Sequence, residues 1–270
     1  MEFYYITNNI EIAKICDKNN VIPWIDLEKL GKEVRQKGMN TVKSNHSISD
    51  IKNIKKVLHS MPLLVRINPI NKDSENEINQ VINAGADIIM LPFFHNKNEV
   101  EKFIKFVAGR CKTMLLFETK DSVHNIDSVL GINGIDKVHI GLNDLHLSYR
   151  LNFMFELISN GIIDYICEKF RQHGFKNYGF GGIAKLGHGN IPAEYIISEH
   201  VRLKSNQAIL SRSFCNFKDY EFIEDFEKDF VTELEKIKLF YSAVSLCNKL
   251  YVETNHITTN NLINNINIQK

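Results

Sequence analysis

Between residues 86 and 145 the chain reads ADIIMLP (86–92), then TMLLFET (113–119), then KVHIGLNDL (137–145). Each run is apolar at its heart, rich in β-branched or aromatic residues, and closed by polar ones, which is how strands leading into loops read. The segments between them are longer and amphipathic. In residues 98–108, for example, Val100, Phe103, Ile104 and Val107 share one helical face. Strand and helix therefore alternate through the middle of the chain, with residues 123–129 as a short helix before the third run.

The alternation continues outward in both directions. Toward the N-terminus, residues 3–7 read as a strand, 10–18 as a helix, and 21–28 as a strand ending in Asp26 and Glu28. Residues 31–49 have no sustained apolar period and read as a long loop. It leads to a helix at 51–58 that Ser49 is placed to cap. LLVRIN (63–68) is a strand stopped by Pro69, and the helix at 75–83 is closed by Gly85. Toward the C-terminus, 154–173 reads as a helix and YGFGGIA (178–184) as a strand. Pro192 opens a helix to about residue 202, and residues 207–214 form the eighth strand. Residues 39–44 compete for a ninth place, but Asn40, Lys43 and Ser44 break that run.

Eight βα units in about 250 residues predict an α/β fold, a (β/α)8 TIM barrel, since doubly wound open sheets usually close with five or six strands. Phe222, Phe226, Phe230, Leu234, Ile237, Phe240 and Val244 continue as one long final helix to about residue 252. Residues 253–270 are rich in Asn and Thr, hold no stable period, and are expected to be a flexible polar tail. No linker or repeat divides residues 1–252, which read as one barrel domain including the final helix.

Composition narrows the function. Hydrophobic residues make up 44% and charged residues 24%, and 33 Lys and Arg against 32 Asp and Glu leave a formal charge of +1. Such a chain has no overall field to recruit nucleic acid or an anionic membrane. No run approaches the roughly 20 apolar residues that span a bilayer, and the first residues lack a signal peptide's pattern, so the cytoplasm is the expected location. Five cysteines, at 16, 111, 167, 215 and 247, contain no CxxC pair, which argues against a disulfide framework or thiolate metal site.

In a barrel of this kind chemistry sits at the C-terminal ends of the strands. The polar residues there are Asp26 and Glu28 on strand two, Arg66 and Asn68 on strand three, Glu118 and Thr119 on strand five, Asn143 and Asp144 on strand six, and Ser211 and Arg212 on strand eight. Glu118 and Asp144 suit a hard divalent ion such as Mg2+ or Mn2+, with water or substrate completing its shell. Each is equally readable as a helix cap or a salt-bridge partner. An arginine in so apolar a strand as LLVRIN calls for a carboxylate partner, whether from protein or ligand.

Taken together, GADIIMLP, LLFET followed by NIDSV, and GIDKVHIGLNDLHLS resemble the core motifs of the HpcH/HpaI aldolase and citrate lyase β-subunit family, and LLVRIN resembles its arginine-bearing strand. The likeness spans residues 1–214, and the E-T pair followed by G-x-N-D-L is its most specific part. The resemblance implies a phosphoenolpyruvate/pyruvate-type barrel in which Glu118 and Asp144 bind the metal and Arg66 contacts the pyruvate or oxaloacetate part of the substrate. It also implies a homo-oligomer in which the last helix crosses to a neighbour.

On this reading the substrate is a small 2-oxo acid. The metal and Arg66 stabilise the enolate left when the C3–C4 bond breaks. A base must take the C4 hydroxyl proton. The family's histidine just after the strand-two acids is missing, since Leu27, Glu28, Lys29 and Leu30 follow Asp26. His46, farther along that loop, is the substitute imidazole, and Asp26, Glu28 or a metal-bound water are the competing bases. Asn68 and Asn143 are read as substrate contacts. Lys32, Arg35, Gln36 and Lys37 form a basic loop that either binds a phosphate or second carboxylate or is simply solvated. Gly181, Gly182 and Arg212, near the barrel's usual phosphate site, either hold an anionic substrate tail or let the chain pack closely. His139 and His146 flank the strand-six motif, and strand alternation sets His139 apart from Asp144.

The function expected is thus a metal-dependent aldolase that cleaves or forms a 4-hydroxy-2-oxo acid with pyruvate as one partner. The alternatives are a citrate lyase or malyl-CoA lyase-like enzyme on a thioester, and a metabolite-binding barrel without turnover.

Overall fold

The computed structural model describes residues 1–31, 44–211 and 213–268. Eight parallel strands close into a barrel in sequence order: β1 (Glu2–Ile6), β2 (Val21–Asp26), β3 (Leu64–Arg66), β4 (Ile88–Leu91), β5 (Lys112–Phe117), β6 (Lys137–Ile140), β7 (Tyr178–Ile183) and β8 (Gln207–Leu210). β8 returns to pair with β1, so no edge is left exposed. The described helices are α1 (Ile10–Lys18), α2 (Ile48–Lys55), α3 (Ser74–Ala84), α4 (Lys97–Val107), α5 (Lys120–His124), α6 (Ile126–Leu130), α7 (Leu142–Ser148), α8 (Glu156–Ser159), α9 (Ile162–Gln172), α10 (Ala193–Arg202), α11 (Ile223–Ser245) and α12 (Lys249–Ile268). The basic loop residues Lys32, Arg35, Gln36 and Lys37, the competing run 39–43 and Arg212 lie outside the described residues.

Each strand shares its side chains between two cores. Tyr4, Trp24, Leu64, Met90, Met114 and Leu116 belong to a cluster that fills the barrel, while their neighbours Phe3, Ile25, Val65, Ile89 and Leu115 pack outward against the helices. That two-sided burial is why the strands read as continuous apolar runs and not as alternations. Truncating a filler such as Phe103, fully buried on α4, to alanine costs about 3–5 kcal/mol. Gly179 is set by β8: a Cβ there would lie 1.8 Å from the Gln207 carbonyl oxygen, and the β7–β8 register shifts between Gly179 and Gly182.

Several sequence expectations are corrected. Ser47, not Ser49, opens α2, and both its N–H and its hydroxyl donate to Asp50 Oδ2 at 2.7 and 2.8 Å. The helix read over 123–129 is two short helices, and the one read over 154–173 is also two, parted at Gly161, whose φ is +73°. The long final helix stops at Ser245. Within the stretch expected to be a flexible tail, residues 253–268 supply most of α12. That helix is polar overall, but Ile263 and Thr259 are buried and His256 Nδ1 meets Glu199 of α10 at 2.9 Å. Contact with α10 and α8, not its own periodicity, holds it helical. No described helix is long and apolar enough to cross a membrane.

Candidate active site at the strand ends

Asp26 and Arg66 end β2 and β3 and are register partners, so their side chains lie side by side. The guanidinium grips Asp26 at both oxygens: Nε donates to Oδ1 at 2.9 Å and NH2 to Oδ2 at 2.8 Å. NH1 lies 3.3 Å from Glu28 Oε2. The partner that LLVRIN called for is therefore in the protein. Beneath, the Trp24 ring centroid lies 5.1 Å from the guanidinium carbon. Burial alone would lower the Arg66 pKa, but attraction from Asp26, then Glu28 and Glu118, holds it above its ordinary value. Arg66 stays charged.

These bonds reassign two expected bases. Asp26 spends both oxygens on Arg66, and Oδ1 also accepts the Glu28 N–H at 3.2 Å, so its role is to hold Arg66. His46 is brought to the end of β2 as anticipated, but its Nδ1 accepts the Asp26 backbone N–H at 3.0 Å. In the neutral ring the remaining nitrogen then carries the proton, and the lone pair a base would use is occupied.

Asn68 is likewise committed to the chain. Its Oδ1 accepts from the backbone of Lys29 and Leu30 at 2.9 and 3.0 Å, and its Nδ2 donates to Glu77 Oε1 at 2.7 Å. It braces the segment leaving β2 instead of facing a ligand. Gly181 and Gly182 have packing reasons: a Cβ would come within 2.5 Å of Leu142 at the first and 3.1 Å of Ser211 at the second.

Across the barrel, Glu118 follows β5. Its Oε1 accepts the Phe93 N–H at 2.9 Å, and its Oε2 lies 2.6 Å from where a Cβ on Gly141 would sit. Only glycine leaves that oxygen room. Gly141 follows β6 as the cap residue and α7 begins at once, which corrects the placement of Asn143 and Asp144 on a strand. Both lie in the first turn of α7, Asn143 exposed and Asp144 buried, so strand alternation does not relate Asp144 to His139. His139 itself is fully buried edge-on to Tyr4, and burial pushes its pKa down to about 3. His146 Nδ1 sits 3.0 Å from the Leu142 carbonyl of its own helix.

Asp26, Glu28, Glu118 and Asp144, none more than 5% exposed, thus gather at one end of the barrel, where the Arg66 guanidinium is also buried. Among the described residues no three His, Cys, Asp or Glu side chains are placed to hold a metal. Glu118 and Asp144 are a two-acid, all-oxygen set, which suits a hard ion that keeps water or substrate oxygens. Sequence reasoning missed Trp24, Phe93 and Gly141. The glycine of G-x-N-D-L was a signal for the last, whereas nothing local marked Phe93.

Residues 24–154 match the family model described as HpcH/HpaI aldolase/citrate lyase. No curated protein matches the chain. Among solved structures, an HpcH/HpaI aldolase from Desulfitobacterium hafniense DCB-2 is 14% identical with a TM-score of 0.60, over 88% of this chain and 92% of that one. An HpcH/HpaI aldolase/citrate lyase family protein from Burkholderia cenocepacia J2315 is 11% identical with a TM-score of 0.61, over 78% and 89%. A citrate lyase from Burkholderia xenovorans LB400 is 12% identical with a TM-score of 0.57, over 90% and 82%. At these identities the likeness is one of fold.

Proposed function

The chain belongs, through residues 24–154, to the HpcH/HpaI aldolase/citrate lyase family, and from that premise we propose that it is a divalent-metal-dependent carbon–carbon lyase. Its substrate is a 4-hydroxy-2-oxo acid, cleaved to or formed from pyruvate and an aldehyde. The observation that carries this reading is the buried guanidinium of Arg66, clamped by Asp26 and Glu28 and electrostatically coupled to Glu118 across the barrel.

Asp26 accepts from two of the guanidinium's five N–H groups, and Glu28 Oε2 lies 3.3 Å from a third nitrogen. The others are left to bind the substrate carboxylate or the growing enolate oxygen. Glu118 and Asp144 would hold Mg2+ or Mn2+, which when bound supplies Lewis-acid stabilisation of the enolate. Asp26 fixes the direction of Arg66, and Glu28 is the carboxylate we assign to accept the C4 hydroxyl proton. Exposed Asn143, at the start of α7, is placed to contact the aldehyde part. A cytoplasmic homo-oligomer that recruits neither nucleic acid nor membrane belongs to the same reading, and a charge of +1 supports its last part.

The test is turnover of a panel of 4-hydroxy-2-oxo acids, with pyruvate detected by a coupled assay, in Mg2+, in Mn2+ and in excess chelator. Metal-dependent release that is lost in Glu118→Gln and Asp144→Asn is expected. Folded protein that releases no pyruvate with any metal would overturn the aldolase reading in favour of a thioester substrate or a binding barrel.

A further inference from the structure

The inward face of the barrel has an apolar wall and a polar one. Beneath Arg66, strands β2 to β5 line it with Ile22, Leu64, Ile88, Met90, Met114 and Leu116. On β6, Lys137 and His139 are the register partners of Met114 and Leu116 and face the same way. Gln207, on β8, lies two residues before Ile209, which packs on the apolar cluster, and pairs with Glu2 of β1. Between these strands β7 presents Gly179, in register with both His139 and Gln207, so it places no side chain between the two.

At the barrel floor the polar wall satisfies itself. Lys137 Nζ donates to Glu2 Oε1 at 2.5 Å, and the Tyr4 hydroxyl donates to the same oxygen. His139 and Gln207 are different. They are 0% and 1% exposed, and among the described residues neither ring nitrogen of His139 and neither amide atom of Gln207 has a hydrogen-bond partner. The Gly181 backbone opposes the effect of burial on His139 without forming a well-shaped bond to either nitrogen. Turning the ring or the amide end for end changes nothing, since both ends are orphaned. Buried polar groups in folded proteins are nearly always paired, with protein or with ordered water.

The chemistry of the pair selects its partner. Burial pushes the His139 pKa down to about 3, so the ring is neutral at working pH, with one N–H and one lone pair. Gln207 likewise offers donors and an acceptor and no charge. Lys137 and Glu2 of the floor are spent on each other. What fits is a small neutral molecule that donates and accepts at once, and an internal water, which typically makes about three such bonds, is that molecule. We infer that the barrel holds at least one internal water molecule between His139 and Gln207. His139 precedes Gly141 by one inward position on β6, so this water belongs to the barrel core beneath the strand ends and does not depend on the metal reading above.

The experiment is oxygen-17 relaxation dispersion of water in solutions of the full chain, which responds to water held inside the protein and exchanging slowly, with circular dichroism to check folding. Gln207→Met and His139→Phe keep bulk but remove the polar atoms. Each should lower the dispersion amplitude by the equivalent of at least one water molecule, whereas His139→Gln, which keeps a donor and an acceptor, should retain the wild-type amplitude. Each of the two apolar variants should also melt below wild type, because it strands the other side chain, and their losses should not add in the double variant. A dry pair has the opposite signature: unchanged amplitude, and a higher melting temperature once orphaned atoms are deleted. Unchanged amplitude in folded Gln207→Met and His139→Phe overturns the inference. A crystal structure of the wild type makes the same test without substitution, through density for a water within hydrogen-bond reach of both side chains, and clear density showing none there overturns it equally.

Discussion

At the N-terminal end of the barrel, Asp17, Asp87 and Asp136 turn their oxygens onto backbone N–H groups. Asp17 accepts from His59, Ser60 and Met61, with a closest approach of 2.6 Å, Asp87 accepts from Leu63 at 2.7 Å, and Asp136 accepts from Thr113 at 2.8 Å. Each ties the chain to the start of a strand. At the C-terminal end, Asp26 is spent on a side chain, the Arg66 guanidinium, which lies over Trp24 at the top of the barrel core with Glu28 3.3 Å away. The open groove of about 780 Å3 lies at the first end, lined by Lys55, His59, Asp87, Arg110, Lys112 and Asp136. Its Lys55 and Asp87 are already paired at 2.6 Å. A large groove whose acids are bound to backbone is architecture. A small set of buried acids around the Arg66 guanidinium is where chemistry can be carried, in line with the division of labour between the two faces of such barrels.

If that contrast is right, the two ends should respond differently to the loss of one charge. The largest effect is expected at the C-terminal end. Arg66→Met removes the guanidinium that Asp26 grips in a buried pair and should cost about 3–5 kcal/mol in urea unfolding, with Asp26→Leu added to it restoring part of the loss. A double variant as unstable as the single would break the assignment of Asp26 as the arginine's holder.

At the other end, Asp17→Asn should cost about 1–3 kcal/mol, since it takes the charge from an acceptor of three N–H groups, and should leave pyruvate release unchanged. Its pH dependence has a definite sign. Burial alone would raise the Asp17 pKa, but the N–H groups of His59, Met61 and Ser60 outweigh it and hold the carboxyl below the ordinary Asp range. The stabilisation is therefore complete above the unfolded value near ~3.9 and is lost as pH falls through the lower native value. The stability gap between wild type and Asp17→Asn should close over that acid window, and a gap constant from pH 7 to pH 2 would refute it.

Gly141→Ala should sharpen the comparison further. Its new Cβ would meet Glu118 Oε2 at 2.6 Å and Glu118 Cβ at 3.0 Å, so pyruvate release should fall at least about 10-fold, or about 1.4 kcal/mol, with little change in melting temperature. Unaltered turnover would show that the position of Glu118 does not matter. The smallest effect is expected far from both ends. His256→Leu removes the bond to Glu199 that helps seat α12 and should lower stability by about 1 kcal/mol without touching activity.

The barrel was legible because eight apolar runs, buried on both faces, leave a strong one-dimensional record, and because the residues that close each run fall at its C-terminal end. Asp26, Arg66 and Glu118 could be picked out on that ground alone. The partner of Arg66 could not, because it depends on the register between β2 and β3, some 40 residues apart. Nor could His46, whose nitrogen is claimed by a backbone group 20 residues away. Asn68 looked like a ligand contact because a polar residue at a strand end reads the same whether it faces substrate or braces a neighbouring loop.

Sequence by itself determined the alternation of strands and helices, the closure of the barrel and the end at which charged side chains collect, since burial pattern and strand count are properties of local order. Tertiary structure alone decided that residues 253–268 are helical, that Asp144 rides on α7 instead of a strand, and that Phe93 takes a backbone conformation its side chain disfavours. Each of those outcomes depends on groups distant in sequence, whose packing and hydrogen bonds outweigh local preference by amounts no single window of the chain records.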